Sequence, residues 1–310
     1  MGDPREKEFV DAGHTSEEKA AALSEQERSA FVSSDGEVVD VDTIRKFVEQ
    51  LDEQAGLHER HYAQLRDELE EKQEAFAGLI AELPDLPPEK VEFLVRNVFA
   101  SRRRTEPLLE ATGAEALARA ADDLVHGEGD LAIRFDTFCD RVEGVEPATC
   151  RSLAAELLHL SDPEAYGPWA RWMWNPESRT GAVPLMTMAD VDLEGETPGE
   201  TYVKVGEAVD SLHDRKDAMG FDPDVLAGPL GTDVAMATVH AVYTYLVLGM
   251  RMTKEFTQAI PDHPEYIRRL LGTQELHEQR EPEGGPTDRM PTVPGGRPTP
   301  GPGGLRGGSR

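Results

Sequence analysis

The chain has 310 residues, a length that suits one large domain or two modest ones, and its formal net charge at pH 7 is −28. This acidity disfavours nucleic acids and anionic membranes as partners, because it would repel their phosphates. The two cysteines, Cys139 and Cys150, form no CxxC pair and match no zinc or iron–sulfur spacing, so we expect reduced thiols, no metal and no cofactor.

The first 40 residues are polar and contain eleven acids against four bases. They lack a sustained apolar period, so the sequence predicts a disordered acidic N-terminus over 1–40. The opening residues also lack the apolar stretch of a signal peptide, which predicts a soluble cytoplasmic protein.

An apolar repeat in alternating steps of four and three residues spans 41–83. Such spacing is typical of a coiled-coil seam, here interrupted by His58 and Lys72, and it predicts one long helix. A helix of this length cannot bury its own seam, so we expect it to pack along the body of the protein or to pair with a partner, including a second copy of the chain. The seam consists of Ile44, Val48, Leu51, Ala55, His58, Tyr62, Leu65, Leu69, Lys72, Phe76, Leu79 and Leu83.

Helical patterns dominate residues 86–273 and predict a compact multi-helix domain, in which only 182–200 is either one short strand or a loop. The apolar run from Val234 to Met250 is 17 residues long, just short of a membrane span, and predicts a central helix buried on all sides. The remaining residues, 274–310, are rich in proline and glycine and predict a disordered tail. We therefore expect an all-α fold with no membrane span.

All three tryptophans lie within six residues, WARWMW at 169–174. In a helix, Trp169 and Trp172 would share a face, whereas in an extended segment Trp172 and Trp174 would do so. Arg171 and Arg179 are near enough to stack on the indoles or to meet a carboxylate. Two interpretations follow: a surface that binds a protein partner or a cofactor-sized ligand through these five residues, or a hydrophobic anchor that pins an irregular loop to the helical body.

A second group of residues raises the possibility of catalysis. Glu156 and His159 have the spacing that di-metal carboxylate bundles use on their helices. His213 and Asp214 form a His-Asp step similar to that of HD-type metallophosphohydrolases, whose metals activate a water. These four residues are the candidates for a metal-dependent helical enzyme, although solvated helix faces explain the same spacings. His240, within the apolar helix, is interpreted as a core histidine with a local partner.

Three stretches carry a resemblance to a known family: AAELLHLSDPEAYGPWARWMWNPESRTGAVPLMTM, GTDVAMATVHAVYTYLVLGMRMTKEF and YIRRLLG. They resemble the uncharacterised helical proteins encoded beside the heterodisulfide-reductase-like, sulfur-oxidising enzymes of bacteria. The resemblance implies a cytoplasmic accessory protein beside an iron–sulfur and flavin complex, and it implies no catalytic residue. Two cysteines are too few for this chain to hold such a cluster alone. The predicted function is therefore a non-catalytic accessory or scaffold protein that binds a partner protein, and the alternative is the metal-dependent enzyme.

Overall fold

The computed structural model describes residues 38–54, 59–221, 227–251 and 263–274. Most of the predicted disordered N-terminus and of the predicted disordered tail lies outside these ranges. The described residues are helical and contain no strand, only two isolated antiparallel bridges, so the all-α prediction is confirmed for them. The α-helices are α1 (Val41–Gln54), α2 (Glu59–Ile80), α3 (Pro88–Arg96), α4 (Thr105–Thr112), α5 (Ala114–Val125), α6 (Leu131–Arg141), α7 (Pro147–Ser161), α8 (Ala182–Met186), α9 (Pro198–Asp214), α10 (Gly228–Arg251) and α11 (His263–Leu271).

The predicted single coiled-coil helix over 41–83 is not shown, since helices α1 and α2 occupy this range and residues 55–58 are not described. The seam side chains that the structure describes are turned into the core of the same chain, with Ile44 and Leu65 fully buried and Phe76 nearly so. Helix α1 packs against α8 and α10, and α2 packs against α7, α10 and α11. The body of the protein therefore covers this part of the seam, which is the first of the two arrangements that the periodicity allows.

Buried charges on α2 hold the last helix in place. The Lys72 ammonium donates to the Glu156 carboxylate of α7 and to the Leu271 carbonyl at the end of α11, at 3.1 Å for the latter. One turn earlier, the Glu68 carboxylate accepts from Arg268 Nε at 2.9 Å and from its Nη2 at 3.1 Å. Lys72, which interrupts the apolar seam, is thus an attachment point for α11.

Helix α10 is the centre of the fold. Its residues from Val234 to Val242 are buried except for His240, and the helix packs against α1, α2, α8, α9 and α11. The prediction of a central buried helix is confirmed over this stretch. No helix in the described part of the chain has the length and apolar character needed to cross a membrane.

A second group of helices, α5, α6, α7 and α9, supports the tryptophan segment. The Phe135 ring of α6 stacks on Tyr202 of α9 with centroids 4.7 Å apart, and it also stacks on Trp169 at 6.0 Å. The stretch 182–200 begins with helix α8 instead of a strand, and its only β contact is the bridge between Thr187 and Val39. The N-terminal half of α7 lies beside the tryptophan segment, since its Arg151 side chain approaches the Trp169 ring.

Candidate functional site

The tryptophan segment is neither the helix nor the extended strand that its spacing allows. Residues 171–173 form a turn, and an antiparallel bridge joins Asn175 to Thr180. The chain then folds back, with the Ala182 amide donating to the Trp172 carbonyl at 2.9 Å. Gly181 makes this possible, because its φ is +148° and a Cβ there would lie 2.2 Å from the Met173 carbonyl oxygen.

All three indoles are attached to the body of the protein. Trp169 and Trp174 are each 5% exposed, and Trp169 Nε1 donates to the Trp174 carbonyl at 3.0 Å. Trp172 is half-buried, and its Nε1 donates to the Leu270 carbonyl of α11 at 3.1 Å. The anchoring interpretation therefore describes the rings correctly, and Trp172 is a tether for α11 rather than an exposed contact.

Two of the rings nevertheless form the wall of a cleft on the surface. This cleft, the Trp–Arg cleft, is lined by Ala148, Arg151, Ser152, Trp169, Arg171, Trp174, Asn175, Pro176 and Glu177. The Arg171 side chain is 66% exposed at its rim and lies 3.9 Å from the Glu177 carboxylate. The Arg151 guanidinium lies 5.7 Å from the centroid of the Trp169 ring. Of the five predicted binding residues, the structure brings Trp169, Arg171 and Trp174 together here.

Arg179 and Trp172, the other two predicted binding residues, lie elsewhere. Arg179 has a positive φ of 54° and hydrogen-bonds the Glu194 carboxylate through Nε at 3.1 Å and Nη2 at 2.5 Å. The hydrogen bond and the charge of Glu194 raise the pKa of Arg179. This pair therefore fastens one loop to another and does not line the cleft.

Each of the four candidate catalytic residues either contacts a polar partner within the chain or is exposed to solvent. Glu156 accepts from Lys72, and His213 Nδ1 lies 2.9 Å from the Thr232 hydroxyl. Asp214 is exposed at the end of α9. His159 is buried, with Nδ1 2.6 Å from the Tyr166 carbonyl and Nε2 2.6 Å from Asp233 Oδ2.

The structure does bring His159 and His213 to one cleft, which they line together with Asp210 and Asp233. Burial alone would lower the pKa of His159, but the charge and the hydrogen bond of Asp233 outweigh it and raise the pKa. Burial and then the charge of Asp214 raise the pKa of Asp210. Among the described residues, no group of three or more His, Cys, Asp or Glu side chains is placed to hold a metal ion.

The two cysteines are neighbours on α6 and α7, and neither forms a disulfide. The Cys150 thiol lies 3.9 Å from the Cys139 carbonyl oxygen. The hydrogen bond with Cys150, followed by burial, raises the pKa of Cys139. A raised pKa leaves less of the Cys139 thiol as thiolate, which is the form that reacts as a nucleophile.

His240 is a partly buried histidine whose Nδ1 is fully buried, and we expect it to make the fold sensitive to acid. Its ring lies 5.7 Å from the Trp172 ring, and its Nδ1 is buried without a hydrogen-bond partner among the described residues. Burial lowers the pKa of His240 to about 4. In the unfolded chain, histidine has a pKa of about 6.5. Between pH values of about 4 and 6.5, His240 is therefore protonated in the unfolded chain but mostly neutral in the folded chain.

We expect the free energy of unfolding to fall as the pH drops below about 6.5, with His240 contributing a loss of about 2 kcal/mol by pH 5. The His240→Asn variant should lack this contribution, and urea denaturation at pH 7 and pH 5 measures it. The control is His126→Asn, because His126 is exposed beside Asp122 on α5. Equal acid losses in the wild type and in His240→Asn would contradict the prediction.

Sequence reasoning missed two residues of these sites, Arg151 and Asp233. Arg151 lies 18 positions before Trp169, and Asp233 lies 74 positions after His159. No periodicity links positions so far apart, and only the packing of α7 against the loop and against α10 brings them together. No known protein family, curated protein or solved structure matches this chain in any of the three comparisons made.

Proposed function

We propose that this protein is a non-catalytic accessory protein that binds a partner protein at the Trp–Arg cleft. One observation carries the proposal: two anchored indoles and two arginines surround a single open cleft. Tryptophan and arginine are the residues that most often dominate the binding energy of protein interfaces.

The anchoring of the rings favours this proposal. Trp169 is held by its hydrogen bond to the Trp174 carbonyl and by stacking on Phe135, so the cleft wall is preorganised before a partner arrives. A rigid wall loses little conformational entropy on binding. Arg171, by contrast, is exposed and forms one long ion pair among the described residues, so it can turn towards a partner.

Two other surfaces have less support. Most of the 41–83 seam that the structure describes is buried inside the chain, with Val48 and Leu79 partly so, which leaves less apolar surface for self-association. The candidate catalytic residues are engaged with Lys72, Asp233 and Thr232 or, in the case of Asp214, exposed to solvent. The resemblance stated above suggests a heterodisulfide-reductase-like complex as the source of the partner, and the neighbouring genes would test that suggestion.

The Arg171→Glu variant should lose at least 90% of the partner that the wild-type protein retains from an extract of its own cells. Reversing the charge at the rim of the cleft should repel the partner group that Arg171 attracts. The melting temperature should change by less than about 1 °C, because exposed ion pairs contribute little to the stability of the fold. Quantitative mass spectrometry of the retained proteins makes the measurement.

The matched control is Arg119→Glu, because Arg119 is exposed, pairs with one carboxylate, Glu115, on α5, and does not line the cleft. A partner that is retained equally by both variants would contradict the proposal. So would a stoichiometric metal ion in untagged protein that Glu156→Gln or His213→Gln removes, since this would favour the metal-dependent enzyme.

A further inference from the structure

Trp174, whose ring lines the Trp–Arg cleft, carries a buried donor that has no acceptor among the described residues. Trp174 is 5% exposed, and its Nε1–H has no hydrogen-bond partner among them. A buried indole N–H without an acceptor is destabilising, so buried indoles are nearly always paired. The same ring lines the cleft. A ligand that supplies an acceptor at this position would remove the cost.

The charge around this donor is positive. Two arginines and one carboxylate, Glu177, line the cleft, within a chain of net charge −28. Arg151 is half-buried against Trp169 and forms no ion pair with any residue that the structure describes. Ala148, Arg151 and Ser152 belong to the first two turns of α7, where the helix dipole also favours an anion.

The planar groups point to a carboxylate. A carboxylate has two oxygens that accept about four hydrogen bonds, and a guanidinium presents two parallel N–H groups that match them. The Trp174 N–H can add a third bond, and the flat indoles can pack on the methylene groups that carry the carboxylate. The chain itself already places a side-chain carboxylate at the rim, because Glu177 lies 3.9 Å from Arg171.

We propose that the Trp–Arg cleft binds the side-chain carboxylate of an aspartate or glutamate in the partner, through Arg151, Trp174 Nε1–H and Arg171. Glu177 occupies the rim in the unbound protein and gives way to the partner's carboxylate. This inference rests on the proposed function and specifies the chemistry of the partner's contact.

The three indole N–H groups of the chain provide the test, since each gives a separate signal in a ¹⁵N–¹H spectrum of the labelled full-length protein. The probes are three peptides: Ac-Leu-Glu-Leu-NH2, its glutamine counterpart Ac-Leu-Gln-Leu-NH2, and Ac-Leu-Leu-Leu with a free C-terminus. The glutamate peptide should shift the Trp174 signal downfield in a saturable way. The Trp169 and Trp172 N–H groups already donate to carbonyls and should move much less.

The Arg151→Gln variant should weaken binding of the glutamate peptide by at least tenfold, whereas the control Arg119→Gln should leave the affinity within twofold of the wild type. An unmoved Trp174 signal, or an equal shift with the glutamine peptide, overturns the inference. Binding of the free C-terminus alone overturns the assignment to a side chain. The comparisons among the three peptides use the wild-type protein, so they test the inference even if Arg151→Gln fails to fold.

Failure of this inference differs from failure of the proposed function. If Arg171→Glu releases the partner but no peptide moves the Trp174 signal, the cleft binds a partner by contacts other than a carboxylate. If the glutamate peptide binds but no partner depends on Arg171, the cleft is a carboxylate site and the proposed accessory function is wrong.

Discussion

The Glu68→Leu variant should lose about 3–5 kcal/mol of its free energy of unfolding, because it leaves the Arg268 guanidinium buried without its carboxylate. Glu68 is 1% exposed and Arg268 is 8% exposed, so water cannot replace the lost partner without opening the contact between α2 and α11. The pair is also closely bonded, with Arg268 Nε within 3.1 Å of both carboxylate oxygens. Urea denaturation followed by circular dichroism measures the change.

Two further variants separate this pair from the general effect of changing α11. Arg269→Ala removes a partly exposed i,i+4 pair with Glu265 on the same helix and should cost less than about 0.5 kcal/mol. The double variant Glu68→Leu with Arg268→Leu removes both charges and should be more stable than Glu68→Leu alone, since no charge remains buried without a partner. A double variant that is less stable than Glu68→Leu would show that apolar packing, and not the ion pair, holds α11.

The sequence predicts the helices well because helix periodicity is local. The buried positions of α10 follow directly from the apolar run that begins at Val234, and most of the described seam positions of 41–83 are buried, with Val48 and Leu79 partly so. Local spacing does not identify the surface that covers a seam, because the same heptad spacing suits packing against a second chain or against the body of the same chain. Lys72 illustrates this limit: its partners Glu156 and Leu271 are 84 and 199 residues away in sequence.

The tryptophan segment shows a different limit. Sequence reasoning offers an anchor or a binding surface as alternatives for the whole segment. In the structure, however, different tryptophans make different contacts, and one ring can be buried and still present an edge to the cleft. Trp172 is attached to α11, whereas Trp169 and Trp174 are buried and still line the cleft. The buried rings make the cleft rigid, so anchoring is a condition for the proposed binding and does not compete with it.

His159 should make the protein less stable as the pH rises above about 6.5. Its two ring nitrogens lie 2.6 Å from the Tyr166 carbonyl oxygen and from Asp233 Oδ2, so a protonated ring can donate to both. Its folded pKa is raised, so its contribution is fully present below the unfolded pKa of about 6.5. That contribution is lost as the pH rises towards the folded pKa, by up to about 1.4 kcal/mol per pH unit.

The His159→Gln variant should therefore be about 3–5 kcal/mol less stable than the wild type at pH 6, because Asp233 keeps a buried charge without its cation. The difference in free energy of unfolding between the wild type and His159→Gln should narrow as the pH rises from 6.5 to 8.5. This range ends below 9.0, the ordinary pKa of a thiol such as that of Cys139, so that thiol does not confuse the comparison. Urea denaturation at pH 6, 7 and 8 measures it, with the exposed His126→Gln as the control, expected within about 0.5 kcal/mol of the wild type. Parallel pH profiles for the wild type and His159→Gln would mean that this ring is neutral in the folded protein.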